Sequence, residues 1–224
     1  NFKKRFNALS IWKNGEVIKD LISIMLCTYN DENTIVSSVE SLLNQTYQNI
    51  EILVLDDGST DATYEVLLQN FNDNQKIQIF KNNENIGLTK SLNKLIKKSK
   101  GSVIARQDAD DTSVPNRLEI QMESMILKKL DFCTSRASIK NSNRLIPNLS
   151  YLIPPKIVIK YKNPFIHGTL LIKKSIMLEI GGYDEQFKYS QDYKLFIDLL
   201  KMNRKFYFIK MPLYILNMED NISS

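Results

Sequence analysis

Three carboxylates, Asp108, Asp110 and Asp111, fall within four residues at the end of a short apolar run. Acids this close repel one another unless a cation or strong donors compensate. A hard divalent metal is the natural compensator, and Mg2+ or Mn2+ sites often use one or two carboxylates together with phosphate oxygens. Helix capping is the competing reading, because a helix opens near Pro115, but a cap occupies one Asp and not three. A second acidic cluster, Asp56-Asp57-Gly58-Ser59-Thr60-Asp61, follows another apolar run. Its composition suits a turn and cap. It equally suits a carboxylate that accepts hydrogen bonds from a nucleobase N–H or a ribose hydroxyl. Tyr29 either stacks on that base or covers the end of a sheet. The single histidine, His167, excludes mechanisms that need two. Neither GxGxxG nor GxxxxGK[ST] occurs, which argues against a dinucleotide-binding Rossmann domain and a P-loop NTPase. The phosphates of a nucleotide would then be held by metal in place of a glycine loop.

These clusters need elements to position them. Residues 22–27 and 50–55 read as buried strands, followed by residues 77–80 and 102–106. Between them, Ile35, Val36, Val39, Leu42 and Leu43 repeat at helical spacing, with Asn30 or Asp31 available as N-cap. Val66 and Leu67 belong to a second helix. Leu88, Leu92, Leu95 and Ile96 make a third, entered through Asn85-Ile86-Gly87. Pro115 starts a fourth, carrying Leu118, Met122, Met125 and Ile126. Strands alternating with helices predict a mostly parallel sheet covered on both faces. Ligands bind such sheets beyond the carboxyl ends of the strands. The polar residues after three of these strands should therefore converge on one crevice. The second half is less regular. Residues 130–135, 165–172 and 206–209 read as strands, 138–155 as loop, and 174–180 as a helix stopped by Gly181-Gly182. Leu195, Phe196, Leu199 and Leu200 form one face of a last helix.

The 224 residues suffice for one large domain that buries roughly 70% of its unfolded surface. The 43% hydrophobic and 25% charged composition excludes a disordered chain, and no apolar run spans a membrane. Asn1 to Leu9 hold Lys3, Lys4 and Arg5 without an apolar run, so they do not read as a complete signal peptide. Cys27 and Cys133 lie in apolar runs and read as free thiols of a reducing cytoplasm. Residues 1–112 carry 13 Lys/Arg against 15 Asp/Glu, a balance of −2, and residues 113–224 carry 17 against 10, a balance of +7. Basic surface has three readings: nucleic acid, an anionic membrane or an anionic substrate. No segment interleaves aromatics with Arg as an RNA-binding sheet does, so nucleic acid is not an expected partner. Lys156, Lys160, Lys162, Lys173 and Lys174 are candidates for peripheral contact with anionic lipid at the inner face of a membrane.

An ordered set of motifs resembles the family 2 glycosyltransferases of the bacterial capsule and lipooligosaccharide type. It comprises Thr28-Tyr29-Asn30, Leu43-Asn44-Gln45-Thr46-Tyr47, Val54-Leu55-Asp56-Asp57-Gly58-Ser59-Thr60-Asp61, Asn82 to Gly87, Arg106-Gln107-Asp108-Ala109-Asp110-Asp111, Pro115-Asn116-Arg117-Leu118 and Gly181-Gly182-Tyr183-Asp184-Glu185. The resemblance implies an α/β GT-A fold. Residues 1–20 would be a lead segment, 21–112 a nucleotide-sugar-binding half, and 113–224 an acceptor and catalytic-base half of the same domain. It further implies inverting, metal-dependent transfer of a hexose or N-acetylhexosamine from a UDP-sugar. The acceptor would be a hydroxyl of a glycan or lipid-linked saccharide in surface polysaccharide synthesis. The nucleotide-sugar would be held by Thr28, Tyr29, Asn30, Glu32, Asp57, Asp108, Ala109 and His167, and Mn2+ or Mg2+ by Asp110. The family places its base in a Glu-Asp pair opening a late helix. The matching pair here is Gln191-Asp192, so Asp192 is the expected base, with helix capping as its competing role. His167 falls in a segment often written His-Pro-Thr, here with Gly168 for the proline, and a satisfied core histidine is the other reading. The alternative activity is a sugar nucleotidyltransferase, which normally carries a glycine- and basic-rich loop after its first strand. Residues 28–32 are acidic and glycine-free. A metal-gathering receiver-like domain would leave the second Asp cluster and a hundred residues unexplained.

Overall fold

Every residue of Ile22–Thr28 and Ile50–Asp56 is buried, which is why these strands read as apolar runs and not as alternating patterns. A computed structural model describes residues 12–13, 16–17, 20–142, 144–148 and 152–218. Most of the lead segment 1–20 lies outside the described residues. The elements, in order, are β1 (Trp12–Lys13), β2 (Glu16–Val17), β3 (Ile22–Thr28), α1 (Ile35–Leu43), β4 (Ile50–Asp56), α2 (Thr63–Phe71), β5 (Ile77–Lys81), α3 (Leu88–Lys98), β6 (Val103–Asp108), β7 (Thr112–Ser113), α4 (Arg117–Leu127), β8 (Phe132–Ile139), β9 (Leu145–Ile146), α5 (Pro155–Val158), a 3-10 turn (His167–Thr169), β10 (Leu171–Lys173), α6 (Lys174–Glu179), α7 (Gln191–Lys201) and β11 (Phe206–Leu216). β1 and β2 pair with each other as an antiparallel hairpin.

The other strands form one sheet in the order β5-β4-β3-β6-β10-β8-β11-β7, with β9 paired to β8. β5, β4, β3 and β6 are mutually parallel, as expected from the alternating elements. β10 then enters antiparallel to both β6 and β8, and β7 is antiparallel to β11, so the second half of the sheet is mixed.

Period-two alternation along the central strands divides the core in two. Ile22, Ile24, Leu26, Ile52 and Val54 point to one face, where Ile35, Val39 and Leu42 of α1, Leu67 of α2, and Leu118 and Met122 of α4 cover them. Met25, Cys27, Leu53, Leu55 and Ile104 point to the other, under Leu92, Leu95 and Ile96 of α3, Met177 of α6, and Leu195, Phe196 and Leu199 of α7. Full burial of each such side chain stabilises the fold by roughly 1.5–3 kcal/mol. Cys27 and Cys133 are both free and buried.

Several expectations are corrected. Neither Asn30 nor Asp31 caps α1; its N-cap is Thr34, without a side-chain cap bond. Asp31 is engaged instead by the Thr28 hydroxyl at 2.7 Å and the Tyr29 N–H at 3.0 Å. Asp110 and Asp111 do not cap the helix after Pro115, which starts at Arg117 behind Asn116. Residues 165–172 are not one strand, because the 3-10 turn interrupts them before β10. The final strand runs past Ile209 to Leu216, with register shifts around Pro212.

A buried polar network joins the acidic turn to the sheet. Arg117 is fully buried and donates to Gln121 Oε1 at 3.1 Å, Gln107 Oε1 at 3.0 Å, Ser113 Oγ at 2.7 Å and the Arg106 carbonyl at 2.7 Å. Gln121 in turn donates to the Thr169 carbonyl at 2.7 Å. Such a network is favourable only when its members are satisfied, and here it ties β6, β7, α4 and the 3-10 turn into one frame.

Candidate active site

The register of the parallel strands brings the acidic clusters together. Thr28 pairs with Asp56 on one side of β3, and Cys27 pairs with Asp108 on the other. The loops after β3, β4 and β6 therefore leave the same end of the sheet side by side. Two of them are laced together. The Asn30 N–H donates to Ser59 Oγ at 3.0 Å and Asn30 Oδ1 accepts the Thr60 N–H at 2.9 Å. Glu32 accepts the Ala62 N–H at 2.8 Å. Asn30 holds a left-handed backbone, φ 58°, which this residue type tolerates. The Asn30 and Glu32 side chains thus fix the loop that carries Tyr29, which is 44% exposed. Thr28 is buried and spent on Asp31, whose carboxyl burial pushes upward.

Asp57 is buried and accepts four hydrogen bonds. Asn82 Nδ2 at 2.6 Å, Ser91 Oγ at 2.9 Å and the Ile86 N–H at 3.1 Å reach Oδ1, and the Gly87 N–H at 2.9 Å reaches Oδ2. It anchors the turn into α3, and Oδ2 carries the lighter load. Gly58 makes this turn possible: its φ is 74°, and a Cβ there would lie 2.5 Å from the Glu84 carbonyl carbon.

At the end of β6 the three acids separate by environment. Asp108 Oδ1 pairs with Arg106 Nη2 at 2.6 Å, and the Asp108 N–H donates to the Tyr214 hydroxyl at 2.9 Å. Asp111 is buried, accepts the Asn217 N–H at 2.7 Å, and has its carboxyl pushed well up by burial and then by Asp108 and Asp110. Asp110 is half-buried, and burial first and Asp108 second push its carboxyl up to about 6. The methyl of Ala109 lies in the core, leaving its backbone as the group it can offer.

Among the described residues no three His, Cys, Asp or Glu side chains gather as a metal-ligand set. The donor set suits a divalent ion held by one carboxylate and completed by diphosphate oxygens. Burial first and repulsion from Asp108 second raise Asp110, and a bound cation would relieve the repulsion.

The second half contributes the opposite wall. His167 Nε2 and the Tyr183 hydroxyl stand 2.7 Å apart, with the rings edge to face. Burial and the nearby Arg106 hold His167 well below its ordinary range, so it is neutral at pH 7. Both His167 and the buried Tyr183 feel the charges of Asp108 and Asp192. Asp192 lies in the first turn of α7. The N-cap is Ser190, so Asp192 does not cap this helix. Its Oδ2 accepts Asn163 Nδ2 at 2.7 Å. Gly168 lets the turn approach β6: a Cβ there would lie 2.6 Å from Asp108 Oδ2 and would also strike the Tyr214 hydroxyl.

Sequence reasoning missed Arg106, Asn163, Tyr183 and Tyr214 as parts of the site. A signal existed for Arg106, a cation directly following the apolar residues Val103, Ile104 and Ala105. Tyr214 lies 106 residues from Asp108 and gave none.

Comparison with known proteins identifies the family. The family described as Glycosyl transferase family 2 matches residues 23–183. The chain is 32% identical over 188 residues to the O-antigen biosynthesis glycosyltransferase WbnJ of Escherichia coli, a match covering 82% of this chain and 73% of WbnJ. It is 32% identical over 185 residues to the Escherichia coli UDP-Glc:alpha-D-GlcNAc-diphosphoundecaprenol beta-1,3-glucosyltransferase WfgD, covering 82% and 71%. Among solved structures, S. aureus TarS 1–349 in complex with UDP matches with a TM-score of 0.74 at 20% identity, over 88% of this chain and 60% of that one. The mannosyltransferase PcManGT from Pyrobaculum calidifontis, in complex with GDP-Man and Mn2+, matches with a TM-score of 0.74 at 17% identity, over 92% and 59%. The chain thus spans about three-fifths of the length of these two solved proteins.

Proposed function

This chain belongs to glycosyl transferase family 2 and has the GT-A fold, and from that premise we propose that it is an inverting transferase that moves a hexose or N-acetylhexosamine from a UDP-sugar to a saccharide hydroxyl. The acceptor is a growing glycan or a lipid-linked saccharide of a surface polysaccharide. The observation that carries this reading is the approach of the 3-10 turn to the acidic end of β6: a Cβ on Gly168 would lie 2.6 Å from Asp108 Oδ2, and the neighbouring His167 stands 2.7 Å from the Tyr183 hydroxyl. The relatives support the finer points: WfgD names a UDP-sugar donor, a diphosphoundecaprenol-linked acceptor and a beta product, and WbnJ names O-antigen biosynthesis.

Tyr29 presents an exposed ring for a nucleobase, and the lightly loaded Oδ2 of Asp57 accepts its N–H. Asp108, held by Arg106, faces the donor's ribose or sugar hydroxyls, with the Ala109 backbone beside it. Asp110 is the ligand for Mn2+ or Mg2+, which when bound supplies charge stabilisation to the leaving diphosphate. Asp192 takes the proton of the acceptor hydroxyl as its oxygen bonds to the anomeric carbon. The bond from that carbon to the phosphate oxygen breaks, and its electron pair leaves with the diphosphate. A positioned base is worth about 10²–10⁴-fold in such a step. Asn163 holds the second function of Asp192, its orientation, and a neutral His167 donates or accepts a hydrogen bond without adding positive charge beside Asp192.

The test is a screen of nucleotide-sugars for slow donor hydrolysis with Mn2+. One UDP-sugar is expected to be hydrolysed above the rest. Release of pyrophosphate from a nucleoside triphosphate with a sugar phosphate would instead establish a nucleotidyltransferase.

A further inference from the structure

From Phe132 to Leu178 the chain contains no Asp or Glu, yet it holds eight Lys or Arg. Within this stretch the surface of the α5 region is apolar as well as basic. Leu152 is 62% exposed, Ile157 52% and Tyr161 84%, with Ile153 also open to solvent. Helical bonding continues past α5, since the Tyr161 and Lys162 N–H groups both donate to the Val158 carbonyl. Ile157 and Tyr161, spaced four apart, therefore share one face, with Lys156 and Lys160 on the adjoining line. Val158 and Ile159 face inward and are buried. Lys156 Nζ bonds Asn203 Oδ1 at 2.7 Å, beside the exposed Met202.

Two isoleucines, a leucine and a tyrosine left in water, interleaved with lysines in a stretch of chain free of acid, match a layer that is apolar beneath and anionic above. Lysine stems lie along such a layer while their ammonium groups reach the phosphates. No helix among the described residues is long and apolar enough to cross a membrane, so this is contact along the interface. The face is coupled to the site. The Tyr193 hydroxyl donates to the Ile159 carbonyl, and Asn163, one residue past Lys162, holds Asp192.

We propose that residues 152–162 form a docking surface for an anionic lipid bilayer, which seats the Asp192 side of the site at the membrane plane. The purpose of this contact rests on the reading above, in which the acceptor saccharide hangs from a lipid.

The test is co-sedimentation of the full chain with phosphatidylcholine vesicles, with and without phosphatidylglycerol, at low and high salt. Binding is expected at least ten-fold stronger to the anionic vesicles, and weaker at high salt. Ile157→Asp with Tyr161→Asp is expected to weaken binding ten-fold or more, and Lys160→Glu with Lys162→Glu to abolish the preference for anionic vesicles. Each lysine near an anionic leaflet is worth roughly five-fold. These side chains are exposed, and unchanged circular dichroism and donor hydrolysis in solution verify that the variants fold. Wild-type-like binding by either double variant, equal binding to neutral vesicles, or a wild-type dimer that these variants dissociate would overturn the proposal. Donor hydrolysis without vesicle binding sinks the docking surface alone, and vesicle binding without hydrolysis of any donor sinks the transferase reading alone.

Discussion

Arg106 Nη2 and Asp108 Oδ1 stand 2.6 Å apart, the guanidinium buried and the carboxylate partly open to the crevice. The same guanidinium donates to the Met25 carbonyl at 3.3 Å. One buried cation thus serves the acid that closes β6 and also helps keep His167 neutral. Replacing Arg106 by Met leaves Asp108 uncompensated beside Asp110 and Asp111. We expect a loss of about 3 kcal/mol in urea denaturation. The chain's lone histidine gives a single imidazole signal by NMR. It should titrate well below the ordinary range in the wild type and move upward in Arg106→Met. An unmoved His167 would show that Arg106 does not act on it.

Asp110 sets two opposing dependences. Its carboxyl titrates near 6 when folded and near 3.8 when not, so the folded chain holds more protons between these limits. Stability therefore falls as pH rises from about 4 to about 6, and the deficit is complete above that. Without divalent ions, Asp110→Asn should raise stability at pH 7.5 by about 1–2 kcal/mol after allowing for solvent screening. The same variant should lose metal-dependent UDP binding. Calorimetry of UDP in Mn2+ and in chelator is expected to differ for the wild type and to coincide for the variant; coincidence in both would remove Asp110 as a ligand.

Asp192→Asn keeps the shape of the first turn of α7 and removes the proton acceptor. Transfer is expected to fall by about 10²–10⁴-fold with UDP affinity unchanged. Asn163→Ala, which frees Asp192 without removing it, should lower kcat less and leave donor KM alone. Turnover of Asp192→Asn within a few-fold of the wild type would move the base elsewhere.

Gly168→Ala tests how closely the 3-10 turn must approach β6. The added methyl meets Asp108 Oδ2 and the Tyr214 hydroxyl, and overpacking of this kind costs about 1–3 kcal/mol. Donor hydrolysis should drop with it, because Asp108 is the group displaced. A variant with wild-type melting and hydrolysis would mean that the turn yields freely.

The first half of the fold was legible because burial on both faces writes itself as apolar runs, as in 22–27 and 50–55. The second half was harder to read. Phe165 to Ile172 looks like one strand, but the 3-10 turn His167–Thr169 interrupts it, and pairing begins at Leu171. The roles of the acids were the least visible. Asp31 and Asp111 have the right types and positions for caps, yet each finds a nearer partner: the Thr28 hydroxyl and Tyr29 N–H for one, the Asn217 N–H for the other. Asn30 and Glu32 looked like ligand contacts, and their side chains bind the neighbouring loop. Arg106 was read as the end of a strand, since its burial depends on Met25 and Asp108 closing over it.

β10 lies between β6 and β8 and is hydrogen-bonded to both. It acts as a weld: the parallel strands β5, β4, β3 and β6 on one side and β8 and β11 on the other share one unbroken ladder of main-chain hydrogen bonds. Swinging them apart as two jaws would tear main-chain pairing in the middle of the sheet. Any rearrangement of the loops above that ladder would leave the scaffold beneath it in place.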